Sequence, residues 1–487
     1  MRMSWALVAT VAYLLEWAII VAALFVVPRN RRPASATAWL LLVMLFPYVG
    51  LVLFWLIGSP KLSRRRRAQQ RVIDAVIADA IARREVALDR VYDPPIPPRF
   101  EPFVKLAANL GGLPACAGNT VTLYPGYDDA LRQMVAAIDA AERFVHVQFY
   151  ILALDDTTEP FFAALERAVA RGVTVRVLLD HLGSRKFPGH HRMLARMTAA
   201  GIPWHRMLPV LPFRNAWNRP DLRNHRKILV VDGVVGFTGS LNVIDKSYLL
   251  AKNRRRGLSY VELVACVTGP VVIELAAAFL TDWHAETGEL LGAREAAAVP
   301  VMTGRALCQV LPSGPAYETD NNLRLFTALI HAARHRLTIA SPYFVPDESL
   351  MTAITSAAQR GVEVTLFSSE IADQLLVHHA QLSYYDELLA AGVAIWQYRS
   401  PVLLHAKHMT VDDDVAVVGS SNFDMRSLTL NLEVTLVAYD AEVVAGLRAV
   451  ESRYLPHCTR VDLARWRTRS LGVRLVDNLA RLTAALQ

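Results

Sequence analysis

The chain has 487 residues, enough for two or three domains with complete hydrophobic cores. Hydrophobic residues make up 53% of it, and 52 lysines and arginines exceed 44 aspartates and glutamates to give a net charge of +8. This charge favours an anionic partner such as a phosphate ester, nucleic acid or membrane surface. The four cysteines show no CxxC spacing, which argues against zinc and iron–sulfur sites and predicts reduced thiols in a reducing compartment.

The first predicted elements are two apolar runs near the N-terminus, at residues 5–27 and 37–57. At about 1.5 Å per residue, each could cross a hydrocarbon core about 30 Å thick. We therefore predict a two-helix transmembrane hairpin over residues 1–60. Pro47 and Gly50 interrupt the second run, which could re-enter the membrane from one side, although we favour a kinked span.

Flanking cations predict the orientation of this hairpin. Six cations stand at its two ends, namely Arg2, Lys61 and the four arginines of 64–67, while three arginines lie in the connecting loop. Both ends of a hairpin share one side of the membrane, so the positive-inside rule predicts a cytoplasmic globular part.

Residues 61–100 are predicted to form a basic linker and helix that ends in a proline-rich segment. Beyond it the chain repeats a strand–helix–strand pattern, at 144–152, 160–170 and 174–179 and again at 336–344, 349–359 and 363–367. Such units predict parallel strand pairs and two fused α/β domains, at 101–298 and 299–487.

A histidine, a lysine and an aspartate recur at the same spacing in both halves: His225, Lys227 and Asp232, then His405, Lys407 and Asp412. Each set is followed at the same distance by Gly-Ser-x-Asn, which contributes Ser240 and Asn242, then Ser420 and Asn422. Two matched copies predict one pseudo-symmetric site with a pair of histidines facing one substrate. Lysine supplies a fixed cation, serine and asparagine supply hydrogen-bond donors, and histidine supplies a nucleophile or acid. This set suits an anionic phosphate ester.

The spacing also predicts a hairpin in each copy. Asp232-Gly233 between two apolar runs favours a two-residue turn that pairs residue 231 with 234 and places Ser240 opposite His225. The same arithmetic at Asp412-Asp413 places Ser420 opposite His405.

The aspartates lie far from the histidines along the chain. Asp232 is about 23 Å from His225 on an extended strand, so a turn or structural role is at least as good a prediction as a catalytic one. Glu262 and Glu433, each in a strand-like segment beyond its motif, are better candidates to orient the histidines.

The C-terminal segment 460–486 is basic and carries Leu475, Leu479, Leu482 and Leu486 at helical spacing. This pattern fits either a core-packed terminal helix or an amphipathic tail at a membrane interface. The apolar, proline-rich stretch 208–217 likewise fits either a packed loop or a membrane-facing gate.

At these motifs the chain resembles the phospholipase D superfamily and, more narrowly, the bacterial cardiolipin synthases. The resemblance covers nearly the whole chain and includes the segments 224–227, 279–289, 341–346 and 422–427. It implies two phospholipase D-like α/β/α sandwich domains with pseudo-twofold symmetry behind the membrane hairpin. This sequence departs at Gln148, where relatives often carry an acidic residue, and at Glu262, where they often carry aspartate.

The resemblance implies a phosphatidyltransferase that converts two phosphatidylglycerols into cardiolipin and glycerol through a phosphohistidine. It assigns catalytic roles to the two His/Lys/Asp sets, and substrate-phosphate or supporting roles to Ser240, Asn242, Ser420, Asn422, Glu262 and Glu433. No metal or other cofactor is expected, because lysine is a poor ligand and already supplies positive charge. The expected partners are phosphatidylglycerol and the anionic lipids of a bacterial inner membrane, and no nucleic acid is expected. The chain is expected to cross this membrane more than once.

Three other functions use the same features. Water in place of the second lipid gives a phospholipase D-type hydrolase, DNA in place of lipid gives a phosphodiesterase or nuclease, and an inert site gives a membrane scaffold. The membrane hairpin favours lipid, and the complete motifs favour an enzyme. Which histidine attacks, whether phosphatidylethanolamine can be a donor, and the oligomeric state stay open.

Overall fold

The structure is a computed structural model that describes residues 5–29, 31, 33–59, 61–82, 94–211, 216–291 and 301–483. It divides into two compact units, Met1–Leu62 and Ser63–Gln487. The first unit contains the helices α1 (Trp5–Val26), α2 (Pro33–Leu45) and α3 (Pro47–Ile57). Within the described residues, α1 alone is long and apolar enough to cross a membrane, through its segment Ala9–Val26.

The second apolar run differs from the predicted kinked span, because it forms two short helices that fold back on each other. A Cβ placed on Gly50 would lie 2.7 Å from the Val43 Cα, and the Trp39 and Phe54 rings are 5.5 Å apart. These contacts pair α2 and α3 in antiparallel register. The 13 and 11 residues of the two helices each reach about 20 Å or less, which is short of a bilayer core.

The chain breaks at Phe46 because the next residue is Pro47. Proline disfavours helical geometry in the residue before it, and Phe46 has φ −139° and ψ 72°. Glycine at position 50 then lets the two helix backbones approach closely.

The second unit is a mixed α/β structure. Its helices are α4 (Arg64–Ala82), α5 (Glu101–Gly111), α6 (Tyr127–Asp139), α7 (Glu159–Ala170), α8 (His190–Ala199), α9 (Ala251–Arg255), α10 (Val271–Thr287), α11 (Asn321–Ala332), α12 (Glu348–Gln359), α13 (Leu375–Ser383), α14 (Tyr385–Ala390), α15 (Met425–Thr429), α16 (Ala441–Tyr454), α17 (Leu463–Arg467) and α18 (Leu471–Arg481). Its strands are β1 (Cys116–Tyr124), β2 (Phe144–Phe149), β3 (Thr174–Asp180), β4 (Trp204–Met207), β5 (Val210–Leu211), β6 (Ala216–Trp217), β7 (Ile228–Val231), β8 (Val235–Gly239), β9 (Ser259–Val261), β10 (Val264–Thr268), β11 (Ala306–Ser313), β12 (Arg336–Ala340), β13 (Phe344–Val345), β14 (Glu363–Ser369), β15 (Ala394–Tyr398), β16 (Val402–Leu404), β17 (His408–Val411), β18 (Val415–Gly419), β19 (Phe423–Asp424), β20 (Glu433–Ala438) and β21 (Cys458–Arg460).

The main sheet has the same strand order in both halves, with β21 added at the outer edge of the second. From the centre outward the order is β1-β10-β8-β7-β2-β3-β4 on one side and β11-β20-β18-β17-β12-β14-β15-β21 on the other. The two halves join where β1 pairs antiparallel with β11. The predicted parallel pairs are confirmed as β2 with β3 and β12 with β14. The predicted boundary at 298/299 lies outside the described residues.

Helices cover both faces of this sheet. α6, α7 and α8 pack on β2 and β3, and α11 and α12 pack on β12 and β14. A third core lies between the central strands and the helices α10 and α16. All six side chains of β2 are buried because both of its faces are covered. The predicted pseudo-symmetric two-domain architecture is therefore confirmed.

Both predicted hairpins form, but the register of each is one residue off. Asp232 and Gly233 have positive φ angles of 55° and 70°, and the Val234 N–H donates to the Val231 carbonyl as in the expected turn. The ladder, however, closes on Val231 and Val235, so Val234 is an extra residue. The second hairpin closes in the same way, on Val411 and Val415. The predicted placements of Ser240 opposite His225 and of Ser420 opposite His405 are therefore wrong.

Candidate active site

Each His-x-Lys segment leaves its own hairpin and lies against the other half of the molecule. The His225 N–H donates to the Leu432 carbonyl at 2.8 Å, beside the start of β20. In the second half, β16 pairs in parallel with β9 of the first half, and the His405 N–H donates to Val261 at 2.7 Å. The residues that follow Val261 and Leu432 are Glu262 and Glu433.

This crossing exchanges the carboxylates between the halves. The His225 Nδ1 lies 2.9 and 3.0 Å from the carboxylate oxygens of Glu433, and the His405 Nδ1 lies 2.9 and 2.8 Å from those of Glu262. Both glutamates are buried. Because each Nδ1 is engaged, Nε2 is the ring nitrogen of each histidine that remains for a substrate. The sequence pointed to the glutamates, but it did not reveal that each serves the histidine of the other half.

The two serines hold these glutamates. The Ser240 hydroxyl donates to Glu262 at 2.5 Å and accepts from the Leu263 N–H at 2.8 Å. The Ser420 hydroxyl donates to Glu433 and accepts from the Val434 N–H at 3.0 Å. Each serine therefore contacts the glutamate that faces the histidine of the opposite half.

The asparagines of the Gly-Ser-x-Asn segments both line the cavity. The Asn242 side chain donates to the Tyr248 hydroxyl at 2.9 Å and accepts from the Ile151 N–H at 3.2 Å. It thereby fixes a wall of the cavity.

His225 and His405 line one cavity of about 380 Å³. Aromatic side chains and two arginines share its wall: Tyr150, Tyr248, Tyr260, Tyr343, Arg223 and Arg426. The wall thus combines aromatic surface with the two arginines and with the carboxylates of Asp373 and Asp424, a mixture that suits an amphiphilic ligand.

Burial and nearby cations lower the pKa values of both histidines. Burial, with the charges of Lys227 and Lys407, lowers the pKa of His225 well below its usual value. Burial also lowers the pKa of His405, although the Glu262 carboxylate opposes the change.

The pKa values of the two glutamates are shifted in opposite directions. Burial would raise the pKa of Glu262, but His405 and Lys407 more than offset it and hold the pKa below its ordinary value. Burial raises the pKa of Glu433 to about 7 against the opposing charge of Lys227. An ionised Glu262 favours the protonated form of His405. Glu433 favours the protonated form of His225 less strongly.

The two lysines are almost fully buried. The Lys227 Nζ donates to the His225 carbonyl at 2.7 Å, and the Lys407 Nζ donates to the His405 carbonyl at 2.6 Å. Burial lowers the pKa of Lys227 to about 7 and that of Lys407 to about 8. An anionic phosphate bound near them would raise both pKa values, because an opposite charge favours the ionised form.

The structure does not bring Asp232 and Asp412 to the cavity. The Asp232 carboxylate accepts from the backbone N–H groups of residues 142–144 at 2.7–2.8 Å. The Asp412 carboxylate accepts from those of residues 334–336. Each aspartate therefore holds the start of a parallel strand, β2 or β12, at the far end of its hairpin.

Arg226 and Asp282 explain the departure at Gln148. The buried Arg226 donates to the Asp282 carboxylate at 2.7 Å, and the Gln148 amide donates to the same carboxylate at 2.5 Å. A second carboxylate at position 148 would face Asp282 in a buried site. The amide avoids that repulsion.

Arg223 and Arg426 were missed as site residues by the sequence reasoning. Arg223 is buried and lies 3.3 Å from both oxygens of Asp180, while Arg426 donates to the Asp221 carbonyl at 2.7 Å. Leu403 occupies the position that matches Arg223 in the other half, so the repeat gave no signal for Arg223, whereas the position that matches Arg426 carries another cation, Lys246. Arg426 did lie in the segment 422–427 that carried the family resemblance.

A mirrored α/β sheet with two HxK histidines facing one cavity defines a phospholipase D-like enzyme. A family model described as "Cardiolipin synthase, PLD-like domain" matches residues 134–283 and 326–453, and one described as "Phospholipase_D-nuclease N-terminal" matches residues 18–59.

Curated relatives match over nearly the full length. A cardiolipin synthase of Geobacillus kaustophilus is 32% identical over 97% of this chain and 93% of its own length. Cardiolipin synthase A of Proteus mirabilis is 32% identical over 95% of both chains, and that of Pectobacterium carotovorum is 34% identical over 93% and 92%. The chain belongs to the cardiolipin synthase family of phospholipase D-like proteins.

A solved structure shares the fold. The crystal structure of a phosphatidylserine synthase from Haemophilus influenzae aligns with a TM-score of 0.57 at 14% identity, over 78% of this chain and 98% of that one.

Proposed function

We propose that this protein is a cardiolipin synthase that transfers a phosphatidyl group from one phosphatidylglycerol to another and releases glycerol. The observation that carries the proposal is the pair of buried histidines facing one cavity, each held by a glutamate of the opposite half. The full-length cardiolipin synthase relatives supply the substrate class.

In the first half-reaction, the His225 Nε2 attacks the phosphorus of a phosphatidylglycerol. The bond from phosphorus to the glycerol oxygen breaks, and His405 gives its proton to that oxygen. Glu433 accepts the Nδ1–H of His225 and stabilises the positive charge that the ring acquires when the N–P bond forms. The pKa of His225, lowered by burial and by the lysines, keeps its Nε2 lone pair available.

In the second half-reaction, His405 removes the proton from a glycerol hydroxyl of the second phosphatidylglycerol. The hydroxyl oxygen attacks phosphorus, the N–P bond breaks, and His225 is regenerated. The ionised Glu262 stabilises the protonated form of His405, which exists before the proton goes to glycerol and after the proton is removed from the second lipid. This supports His405 as the acid and base. No proton is gained or lost over the cycle.

The lysines stabilise the charge that develops on the non-bridging phosphoryl oxygens. Arg223 and Arg426 at the cavity wall suit the phosphate of an anionic lipid. Ser240 and Ser420 act as positioning residues through the glutamates, and Asp232 and Asp412 act as structural residues.

The mirrored sheet supports phospholipase D-like domains at 101–298 and 299–487, behind a basic segment at 61–100. It also supports assigning the C-terminal segment that follows α16 to the second domain.

We infer a membrane topology different from the two-span hairpin. α1 crosses the bilayer once, and α2 with α3 re-enters from the side of the α1 C-terminus, because each is too short to cross and the two fold back. The arginines at 29, 31 and 32, Lys61 and the arginines of 64–67 then lie on one side and Arg2 on the other. Eight cations against one favour a cytoplasmic catalytic unit at the inner membrane of a bacterium.

The function is tested with the purified full chain in phosphatidylglycerol vesicles without divalent metal. Cardiolipin and glycerol in equal amounts are expected. Phosphatidic acid alone would identify a hydrolase, and cleavage of DNA but not lipid a nuclease. His225→Ala and His405→Ala are expected to lose turnover by about a thousandfold or more, whereas turnover retained in either variant would overturn the two-histidine mechanism.

The topology is tested with single cysteines at Trp5, Arg29 and Ser63 in a chain whose native cysteines are serine. A membrane-impermeant thiol reagent should label Arg29→Cys and Ser63→Cys from the same side, and Trp5→Cys from the other. Labelling of Arg29→Cys and Ser63→Cys from opposite sides would restore the two-span hairpin.

A further inference from the structure

Helix α18 presents its apolar side to solvent and its polar side to the protein. Leu471, Leu475, Leu479 and Leu482 are between 53% and 80% exposed. At 3.6 residues per turn these four leucines fall on one face of the helix. The buried residues of the helix are Asp477 and Ala480, on the opposite face.

Polar contacts fix this orientation. The Asp477 carboxylate lies 2.8 Å from the His379 Nδ1 of α13 and accepts from the Arg469 guanidinium at 2.8 Å. A buried carboxylate with two such partners cannot rotate outward without losing both. The leucines are therefore held outward.

Helix α13 runs parallel to α18 and begins at the active-site cavity. His379 contacts Asp477, and one turn further on the Arg481 guanidinium lies 4.2 Å from the Tyr384 ring centroid. Gln374 and Val377 line the cavity at the start of α13. The first turns of both helices therefore lie beside the cavity mouth.

Two more exposed leucines extend the apolar surface at this mouth. Leu375 and Leu376 are 71% and 58% exposed. The offset between His379 and Asp477 brings Leu375 level with Val473 of α18. The six outward leucines at 375, 376, 471, 475, 479 and 482 are called the leucine face.

The charge around the leucine face identifies its partner as an anionic lipid surface. Residues 460–483 contain six arginines and two aspartates, and one of those aspartates is the buried Asp477. Arg465, Arg467, Arg474 and Arg481 are exposed. Outward leucines beside arginines are the pattern of a helix that lies in a membrane interface.

We propose that the leucine face docks the catalytic unit on an anionic bilayer and sets the mouth of the histidine cavity against the lipid headgroups. This inference rests on the proposed function, since a lipid substrate must pass from the bilayer to buried histidines. It takes the C-terminal segment 460–486 as an interfacial helix rather than a core-packed one.

Fluorescence quenching tests the docking directly. The full chain with Cys266→Ser and Leu475→Cys is labelled with bimane and reconstituted in phosphatidylglycerol vesicles that contain a lipid with a nitroxide high on its acyl chain. The other native cysteines are buried. Strong quenching is expected at position 475, and weak quenching for the exposed control Ala441→Cys on α16. Equal quenching at both positions would overturn the proposal. A fluorescence change that depends on the amount of protein per vesicle and not on the amount of nitroxide lipid would also overturn it, because it would identify a second copy of the chain as the occupant.

Turnover separates docking from chemistry. The double variant Leu475→Gln/Leu479→Gln should lose about tenfold or more on bilayer phosphatidylglycerol. It should stay within about twofold of wild type on monomeric dihexanoyl phosphatidylglycerol, whose short chains need no docking. Leu290→Gln is the matched control, because Leu290 is as exposed as Leu479, at 53%.

The outcomes separate the two proposals. A double variant with wild-type turnover on bilayers would overturn the docking surface. A wild type that forms no cardiolipin from either lipid would overturn the proposed function, and the quenching result would still decide the docking surface.

Discussion

Asp232 and Asp412 hold the hairpin tips to the starts of β2 and β12. Each carboxylate receives backbone N–H groups of three consecutive residues. Each aspartate also has a left-handed backbone conformation, with φ of 55° and 50°, which asparagine and aspartate tolerate better than most residues. A residue with this role contributes to folding rather than to the reaction.

Asp232→Ala is therefore expected to destabilise the fold by about 1–3 kcal/mol, because it leaves backbone donors without an acceptor. Turnover per folded molecule should change little. Thermal unfolding followed by tryptophan fluorescence, with turnover measured well below the midpoint, checks both statements. Asp413→Ala is the control, since its side chain is 87% exposed. A loss of turnover with an unchanged thermal midpoint would instead indicate a catalytic role for the aspartate.

Lys227 and Lys407 set an alkaline limit on activity. Burial lowers their pKa values to about 7 and about 8, so the free enzyme loses positive charge as the pH rises through this window. We expect kcat/KM to fall above about pH 7 and more steeply above about pH 8, whereas kcat should fall at a higher pH, because bound phosphate raises the pKa of both lysines.

Lys227→Arg provides the control for this pH profile. The guanidinium of the variant stays charged at these pH values. The decrease in kcat/KM near the pKa of Lys407 should therefore remain, and the decrease near the pKa of Lys227 should disappear. A kcat/KM that is flat to about pH 9 in the wild type would contradict the assignment.

At the scale of elements, the α2–α3 hairpin depends on one small residue. Gly50 packs on the backbone of Val43, where a Cβ would come within 2.7 Å of the Val43 Cα. Gly50→Val should separate the helices and lower the thermal midpoint of the full chain in detergent, by an amount equivalent to about 1–3 kcal/mol.

Gly472→Ala is the control for Gly50→Val, because a Cβ at residue 472 would meet nothing within 4 Å. An unchanged midpoint for Gly50→Val would mean that α2 and α3 do not pack through this glycine. It would also weaken the argument that they re-enter the bilayer together.

At the scale of the whole molecule, the two halves exchange the groups that orient their histidines. Ser240 holds Glu262, and Glu262 faces His405 of the other half. Ser420 and Glu433 support His225 in the same way. An isolated half therefore lacks the carboxylate for its own histidine, and the site exists only in the fused sheet.

Double-mutant cycles test this exchange. Ser240→Ala should add less than about 0.5 kcal/mol to the activation free energy of Glu262→Gln, because both changes act through one contact. Combined with Glu433→Gln, the same serine change should be additive. The opposite result, coupling of Ser240 to Glu433, would fit the register in which Ser240 lies opposite His225.

Much of this protein follows from its sequence. Three features are local patterns that backbone geometry makes predictable: the repeated His-x-Lys spacing, the parallel strand–helix–strand units and the aspartate turns. The two glutamates were found because carboxylates are the groups that orient histidines. The register slipped by one in both hairpins, since an extra residue after the turn leaves no mark in the pattern of apolar residues.

Tertiary structure alone decided which groups meet. The pairing of β1 with β11 joins the halves and carries Glu262 to His405 and Glu433 to His225, over sequence separations of 143 and 208 residues. The fold-back of α2 on α3 and the outward leucines of α18 were also decided there. Apolar residues at a helical spacing have the same pattern whether the face they form meets a core, another helix or a lipid surface, and only the position of Asp477 against α13 fixed which way the leucines point.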